Sequence, residues 1–351
     1  MNKTVFILGA GASKEVGLPI GSELKHSISE CMDMYFENGC RQTRGEPRVV
    51  EALRLYVANS DPTAKEINPY IHACRAIHDG MPLTSSIDNF IDVHSKNKKI
   101  EICGKLGIVH CVLEAERQSA LRFERSRADS TIDFLKTERT WFCNAFQLIT
   151  ENCKIDNLQE RLSKIGLVIF NYDRCFEHYF LLALKTYYQI TEPQARNFLS
   201  KLEIYHPYGV VGQFSDWGTP QGVDYGGTPN AQQLLSMAQQ IRTFTEGTDS
   251  TSSDIVAMRQ LMWNAKRLVF LGFAFHPLNM SLLMPLPPTM GGTAKRIYAT
   301  GINFSKSDAE IIQTDLLNRF TPVKEIQIDT QARCFELFEQ YRRSLSFVET
   351  A

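Results

Sequence analysis

Short apolar runs recur along this 351-residue chain, and stretches with helical spacing separate them. The runs lie at residues 5–8, 166–170, 202–205, 267–272, 296–299 and 323–328. Continuous apolar character, as opposed to apolar and polar residues in alternation, is typical of parallel strands that are covered on both faces. The sequence therefore predicts an α/β fold, with a Rossmann-like parallel sheet and helices on both of its faces.

The region from about residue 22 to residue 162 is almost wholly helical in pattern. Apolar residues recur at helical spacing in stretches such as 49–57, 102–113 and 134–149. We therefore predict a large helical insertion after the first strand, over residues 23–162. Residues 1–22 and 163–351 would together form a discontinuous Rossmann-like domain.

One helix start within this insertion has a recognisable signal. Ser85 is followed three positions later by Asp88, in the segment Ser85-Ser86-Ile87-Asp88-Asn89-Phe90. A serine and an acidic residue at this spacing predict a capping box, in which each side chain bonds a free backbone amide at the helix terminus.

The composition excludes several classes of protein. The chain has 38 basic and 39 acidic side chains with no dense basic block, so a nucleic-acid partner is not indicated. Apolar stretches are too short to span a membrane, and we expect a cytoplasmic location. The nine cysteines are scattered and form no C-x-x-C pair. We therefore expect reduced, mostly buried thiols and no metal site.

The first apolar run ends in the turn Gly9-Ala10-Gly11-Ala12-Ser13, with Gly17 and Pro19 shortly after it. Glycine lets the backbone lie directly against a phosphate, and a helix beginning near Ser13 would direct its positive end at the same anion. The full dinucleotide fingerprint is G-x-G-x-x-G, and this turn does not complete it. A phosphate-binding turn and an ordinary strand-to-helix turn are equally consistent with these residues.

Polar or glycine-bearing turns follow four further strands, and parallel strands bring such turns to one edge of the sheet. Asn171 and Asp173 either bond a ligand or cap the next helix. His206 either transfers a proton near neutral pH or is buried against a backbone carbonyl. The turn at Gly272 either approaches a ribose or phosphate or only ends a strand. Asn303 either bonds a ribose or forms a turn.

Two loops are long and rich in small polar residues, at 212–230 and 246–254. Loops of this length inside a compact domain are more often functional than not. We predict that the first closes over a substrate.

Taken in order, these motifs resemble the sirtuin-like family. That family has a Gly-Ala-Gly-x-Ser nucleotide loop, an Asn-x-Asp turn beside the nicotinamide pocket, a catalytic His followed by Gly, a glycine turn at the ribose and an Asn near the adenosine ribose. The corresponding residues here are Gly9–Ser13, Asn171-Tyr172-Asp173, His206 with Gly209, Gly272 and Asn303. Ser86–Phe90 is also similar to a segment of bacterial sirtuin-like defence proteins.

The chain departs from deacylating sirtuins in two respects. Those enzymes have a zinc ribbon of two C-x-x-C pairs after the catalytic His, whereas no cysteine lies between Cys175 and Cys334 here. Pro207 and Tyr208 also separate His206 from its glycine. The resemblance therefore implies NAD chemistry without an acyl-lysine platform, and protein deacylation ranks last.

The resemblance implies an NAD glycohydrolase of the prokaryotic antiphage type, which uses NAD as its substrate and needs no metal. The implied catalytic residues are Asn171, Asp173 and His206. The implied NAD-binding residues are Gly9, Ala10, Gly11, Ala12, Ser13, Pro19, Gly272, Phe273 and Asn303.

Two other functions remain consistent with these residues: a non-catalytic module that binds NAD or ADP-ribose, and an ADP-ribosyltransferase. The resemblance also implies a homo-oligomer and, in some cases, a companion defence protein that is an ATPase or a nucleotide-processing enzyme. The helical insertion is the expected control surface.

Overall fold

The computed structural model describes residues 3–60, 66–123, 131–213, 219, 222–243, 252–285 and 293–348. Within these residues the strands are Thr4–Leu8 (β1), Tyr35–Glu37 (β2), Arg41–Arg44 (β3), Ile165–Ile169 (β4), Glu203–Tyr205 (β5), Arg267–Leu271 (β6), Lys295–Thr300 (β7) and Val323–Asp329 (β8).

The α-helices of the described residues are Ala10–Ser13 (α1), Gly21–Met32 (α2), Pro47–Ser60 (α3), Asn68–Gly80 (α4), Ile87–Val93 (α5), Lys98–Gln118 (α6), Trp141–Thr150 (α7), Ile155–Ser163 (α8), Cys175–Tyr188 (α9), Glu192–Leu199 (α10), Ala231–Gln240 (α11), Ser253–Asn264 (α12), Pro277–Leu283 (α13), Lys306–Arg319 (α14), Cys334–Gln340 (α15) and Arg342–Leu345 (α16). Short 3-10 helices lie at Lys14–Val16, Met81–Leu83 and Phe134–Thr137.

Six strands form one parallel sheet in the order β5-β4-β1-β6-β7-β8. β1 lies at its centre, where Thr4 is in register with Ile165 of β4 on one side and with Arg267 of β6 on the other. All six strands predicted from apolar runs are present, and the predicted Rossmann-like α/β fold is confirmed.

Successive side chains of a strand point to opposite faces of a sheet. Because the central strands are apolar on both faces, helices cover both faces of this sheet. Val5 and Ile7 of β1 belong to a core that includes side chains of α2–α6 and α11–α13. Phe6 and Leu8 belong to a second core with side chains of α7–α10 and α15. Both faces of β1 are therefore buried, which explains its continuously apolar sequence.

The segment after the first strand is mainly helical, as predicted, but it also contains an antiparallel hairpin of β2 and β3. The hairpin was not predicted, since most of its side chains are exposed and its strands have only three and four residues. The predicted capping box of Ser85 with Asp88 was also wrong. The N-cap of α5 is Ser86, whose Oγ accepts a hydrogen bond from the Asn89 amide at 3.1 Å.

The two ends of the predicted insertion pack differently. Helices α2–α6 pack on one face of the sheet, whereas α7 and α8 pack on the other face beside α9. The division into residues 23–162 and the remainder stays a prediction.

No described helix is both long enough and apolar enough to cross a membrane. The nine cysteines are free thiols, and seven of them are buried.

Candidate functional site

The strand order brings the five predicted turns to the carboxyl edge of the sheet. Across that edge the residues that follow successive strands are His206 after β5, Asn171 after β4, Gly9 after β1, Gly272 after β6 and Asn303 after β7. Ligands of open parallel sheets bind at this edge. A ligand-binding site is therefore expected at this edge.

Two of these turns are in direct backbone contact. The Gly11 amide donates to the Gly272 carbonyl at 3.0 Å. A Cβ on Gly9 would lie 2.5 Å from that carbonyl oxygen, and a Cβ on Gly272, where φ is +54°, would lie 2.1 Å from the Ala12 nitrogen. Glycine is required at these positions because the two backbones cross without room for a side chain.

Helix α1 covers Ala10–Ser13, so the helix predicted to begin near Ser13 in fact ends there. Ser13 lies at the centre of a buried hydrogen-bonded network. Its Oγ donates to Asp173 Oδ2 at 2.8 Å and accepts from Asn171 Nδ2 at 3.2 Å. Asn171 Nδ2 also donates to the Gly9 carbonyl at 3.0 Å. The structure thus joins the first glycine turn to the Asn-Tyr-Asp turn through side chains that the sequence had singled out.

Asp173 has a second role at the start of α9. The N-cap of α9 is Arg174, and Asp173 Oδ1 accepts a hydrogen bond from the amide of Cys175, the first residue of the helix, at 3.0 Å. Burial raises the pKa of Asp173, while the bonds from Cys175 and Ser13 oppose that change. Asp173 therefore binds both the first amide of α9 and the Ser13 hydroxyl.

His206 is paired with a residue that the sequence analysis missed. Its Nε2 lies 2.7 Å from Oε1 of Glu177, in the first turn of α9, and both side chains are largely buried. His206 Nδ1 and Glu177 Oε2 are also buried, and neither has a hydrogen-bond partner among the described residues. Each residue of the pair thus presents one unsatisfied polar atom.

The electrostatic surroundings raise the pKa of His206. Burial alone lowers it, but the Glu177 carboxylate, then Asp173 and the nearby backbone of Asn171, raise it by more. The Glu177 contact also fixes the orientation of the ring. A neutral imidazole that donates from Nε2 to this carboxylate has its lone pair on Nδ1.

His206 also lines a cavity of about 350 Å³, together with Pro207, Gly209, Arg242 and Asp254 among others. That volume is at the lower end of the usual range for small-molecule sites, roughly 300–1,000 Å³. The described lining of this cavity does not include the Gly9–Ser13 turn, which is linked to it through Asn171 and Asp173.

Other predicted residues lie outside the network. Phe273 is buried with its ring packed against Phe170, at a centroid distance of 5.1 Å. Asn303 is exposed and has φ +68°, within a turn that the Phe304 amide closes onto Gly301. Pro19 lines a separate cavity of about 630 Å³.

Two further predicted residues, Ala10 and Ala12, belong to α1. Ala10 begins α1, and the Ala12 carbonyl accepts a hydrogen bond from Trp141 Nε1 at 2.7 Å. Of the two predicted functional loops, residues 214–218, 220–221 and 246–251 lie outside the described residues.

Besides the Trp141–Ala12 bond, two further contacts join the helical insertion to the site, and the sequence analysis identified neither of them. Tyr172 Oη lies 2.8 Å from Asp88 Oδ1 on α5. Arg174 forms a two-point ion pair with Glu116 on α6, with nitrogen–oxygen distances of 3.0 and 2.5 Å, and both side chains are buried. Residues on either side of Asp173 are therefore fixed to the insertion.

Among the described residues, no group of three or more His, Cys, Asp or Glu side chains is placed to hold a metal ion. A comparison with protein-family models found no match for this chain, and a search of curated proteins found none either. The functional assignment therefore depends on the geometry of the site and on the motifs in the sequence.

Proposed function

We propose that this protein is an NAD glycohydrolase that cleaves NAD to nicotinamide and ADP-ribose. The observation that carries the proposal is the arrangement of one buried network. Asn171 and Asp173 are both hydrogen-bonded to Ser13 beside the His206–Glu177 pair, at the edge of the sheet where nucleotides bind.

The reaction needs few catalytic groups. Nicotinamide leaves as a neutral ring from its pyridinium form, and the ribose becomes positively charged in the transition state. A site accelerates this step by holding the ribose in position and stabilising the charge that develops. A water molecule then adds to the ribose C1′ carbon and loses a proton.

His206 is suited to accept that proton, either from the water or from a ribose hydroxyl. Its Nδ1 has no described protein partner, while Glu177 holds Nε2. In the neutral ring with Nε2 protonated, Nδ1 is the basic atom. The Glu177 carboxylate stabilises the imidazolium that forms and keeps the ring in one orientation.

Asn171 is suited to orient the water or the ribose. Both hydrogens of its amide nitrogen are directed to Gly9 and Ser13, so its carbonyl oxygen is the atom left to accept a bond from a ligand. Asp173 holds Ser13 and the start of α9, so its contacts support a positioning role. A contact to the nicotinamide carboxamide, which the resemblance implies, would use the remaining lone pairs of Asp173.

The Gly9–Ser13 turn would hold the pyrophosphate, with Gly272 and Asn303 toward the adenosine. Pro19 and Phe273 would support that half of the site through the backbone. The resemblance to sirtuin-like defence proteins favours a cytoplasmic antiphage effector. An NAD hydrolase that was always active would deplete the NAD of its own cell, so we expect the enzyme to be restrained until infection. Its control would come from homo-oligomerisation or from a companion ATPase or nucleotide-processing protein.

The test is release of nicotinamide from NAD, measured by chromatography with the purified protein and with lysates of infected cells that express it. We expect nicotinamide and ADP-ribose in equal amounts. His206→Ala should lose at least about 100-fold in rate, the usual contribution of a general base. Asn171→Ala should also lose about 100-fold, because the water or the ribose is no longer held in position. Lys136→Ala, a change of one exposed side chain on the insertion, should have no effect.

Other outcomes would identify the alternatives. Tight binding of NAD without nicotinamide release under any of these conditions would indicate a binding module. Transfer of label from adenine-labelled NAD to a macromolecule would indicate an ADP-ribosyltransferase.

A further inference from the structure

A second concave site lies at the opposite edge of the sheet. A cavity of about 1100 Å³ is lined by residues that precede or begin β4, β6, β7 and β8, and by the end of the described chain. These are the amino-terminal ends of the strands, whereas the candidate site lies beyond their carboxyl ends. The cavity is therefore separate from the proposed NAD reaction.

The lining of this cavity is strongly basic. Of its described residues six are cationic and none is acidic: Lys164, Lys266, Arg267, Arg296, Lys324 and Arg343. Two of these cations form ion pairs with carboxylates that lie outside the cavity lining. Lys164 pairs with Glu160 at 3.1 Å, and Arg296 pairs with Glu325 at 3.6 Å.

Two of the remaining cations lack such a carboxylate. Lys324 and Arg343 are exposed and have no carboxylate within ion-pair distance among the described residues. The chain as a whole has a net charge of −1, so this local excess is not a consequence of a basic protein. A concentration of one sign of charge in a concave surface attracts ligands of the opposite sign.

One wall of the cavity is fixed by Arg267. Its guanidinium donates to the Ser344 and Ser346 carbonyls at 2.7 and 2.9 Å, and its Nε donates to Thr4 Oγ1 at 2.8 Å. The same group lies 5.2 Å from the ring centroid of Phe347. The last turn of α16 and the residue after it are thus attached to the starts of β1 and β6.

We propose that this cavity binds an oligophosphate group, as borne by a nucleoside triphosphate or by inorganic oligophosphate. Strands β6, β7 and β8 are neighbours in the sheet, and paired strands lie about 4.8 Å apart. The cations at the starts of these strands can therefore surround a ligand with several phosphates. A ligand with a single negative charge would contact only a few of these cations. A nucleic acid is less suited, because the cations are confined to one concavity on a chain with no general basic charge.

The test is calorimetric titration of the full chain with ATP, inorganic triphosphate and adenosine at low salt. We expect ATP and triphosphate to bind and adenosine not to bind. The double variant Lys324→Ala/Arg343→Ala should bind at least about tenfold more weakly, because it loses charge-assisted hydrogen bonds. Arg54→Ala/Lys136→Ala, which removes the same charge from the insertion, should bind as the wild type does.

The two phosphate sources are distinguished by comparing the probes. Equal affinities would show that the phosphate chain alone is recognised, and tighter ATP binding would show a nucleotide site. The cavity lies at the opposite edge of the sheet from Asn171. The decrease in affinity caused by Lys324→Ala/Arg343→Ala should therefore be the same in the wild-type and Asn171→Ala backgrounds, whether or not the proposed NAD reaction occurs.

Three results would overturn the proposal. They are absence of binding of both probes, binding that persists in Lys324→Ala/Arg343→Ala, and binding of a single-stranded 12-mer RNA at least tenfold more tightly than ATP. Lys324→Gln and Arg343→Gln, each made singly, provide milder variants should the double variant not fold. If neither single variant then bound the probes more weakly than the wild type does, the proposal would be contradicted.

Discussion

At the scale of single residues, the His206–Glu177 pair determines how activity should depend on pH. A general base must be unprotonated, so activity should fall as the pH drops through the pKa of His206. That pKa is raised chiefly by the Glu177 carboxylate, acting against burial. The acid limb of kcat/KM should therefore have its midpoint above the usual histidine value of about 6.5.

Replacing Glu177 by Gln tests this coupling. Without the carboxylate, burial lowers the pKa of His206, and the acid limb should move to lower pH by about one unit or more. Glu192→Gln is the matched control, since Glu192 pairs with Lys185 and Arg196 and is not among the groups that shift His206. Identical pH profiles for the wild type and Glu177→Gln would contradict the role assigned to Glu177.

The crossing of the two glycine turns gives a prediction about stability. Gly272→Ala would place a Cβ 2.1 Å from a backbone nitrogen at a residue with φ +54°. We expect a loss of about 2–4 kcal/mol in the free energy of unfolding, measured with denaturant. Gly21→Ala, where a Cβ would meet nothing within 4 Å, should change it by less than about 1 kcal/mol. Similar effects of the two substitutions would show that the backbones do not cross as described.

At the scale of secondary-structure elements, α6 is attached to the start of α9 by a buried ion pair. Glu116 also accepts a bond from the Gly226 amide at 3.1 Å, and Arg174 donates to the Val223 and Asp224 carbonyls. One pair of side chains therefore fixes the insertion, α9 and the segment 223–226 together. Asp173 directly precedes Arg174, so this attachment also positions the site.

Removing one partner of this pair should be costly. Glu116→Ala leaves the Arg174 guanidinium buried without its counter-ion, and we expect a loss of about 3–5 kcal/mol in the free energy of unfolding. Glu37→Ala removes an exposed partner of Arg41 at 4.0 Å and should change stability by less than about 1 kcal/mol. A small effect of Glu116→Ala would mean that α6 and α9 are not held together in this way.

Helix α5 gives a pH-dependent contact with the site. Burial raises the pKa of Asp88 to about 6, although its bond with Tyr172 opposes this. The folded state therefore holds the Asp88 proton more tightly than the unfolded state does. The stabilisation that results is complete below a pH of about 4 and is lost as the pH rises through about 6.

Asp88→Asn removes this titration. The stability of Asp88→Asn relative to the wild type should increase by about 1 kcal/mol between pH 5 and pH 7. Thermal or denaturant unfolding at the two pH values measures the difference. A stability difference that stays constant between the two pH values would contradict the raised pKa of Asp88.

At the scale of the whole molecule, the sheet could be predicted because burial on both faces makes its strands apolar along their length. The turns could be placed on one edge because parallel strands end together. Three features could not be predicted. Glu177 lies within an apolar helix and has no local signal, Glu116 and Arg174 are 58 residues apart, and the β2–β3 hairpin is too short and too exposed to show a pattern.

Part of the buried network could be predicted. The sequence singled out Asn171, Asp173 and Ser13, and the first two are both hydrogen-bonded to Ser13. The glycines were also singled out, but their backbone crossing is a tertiary contact that no sequence pattern specifies. Whether the turn at Gly9 also binds a phosphate stays a prediction.

The central claim is that one dinucleotide contacts both the first glycine turn and His206. The most direct measurement is a crystal structure of the protein with a carbocyclic NAD analogue that cannot release nicotinamide. We predict its pyrophosphate against Gly9–Ser13 and its nicotinamide-side sugar within hydrogen-bond reach of His206 Nδ1. An analogue bound elsewhere, or bound with no contact to His206, would contradict the account.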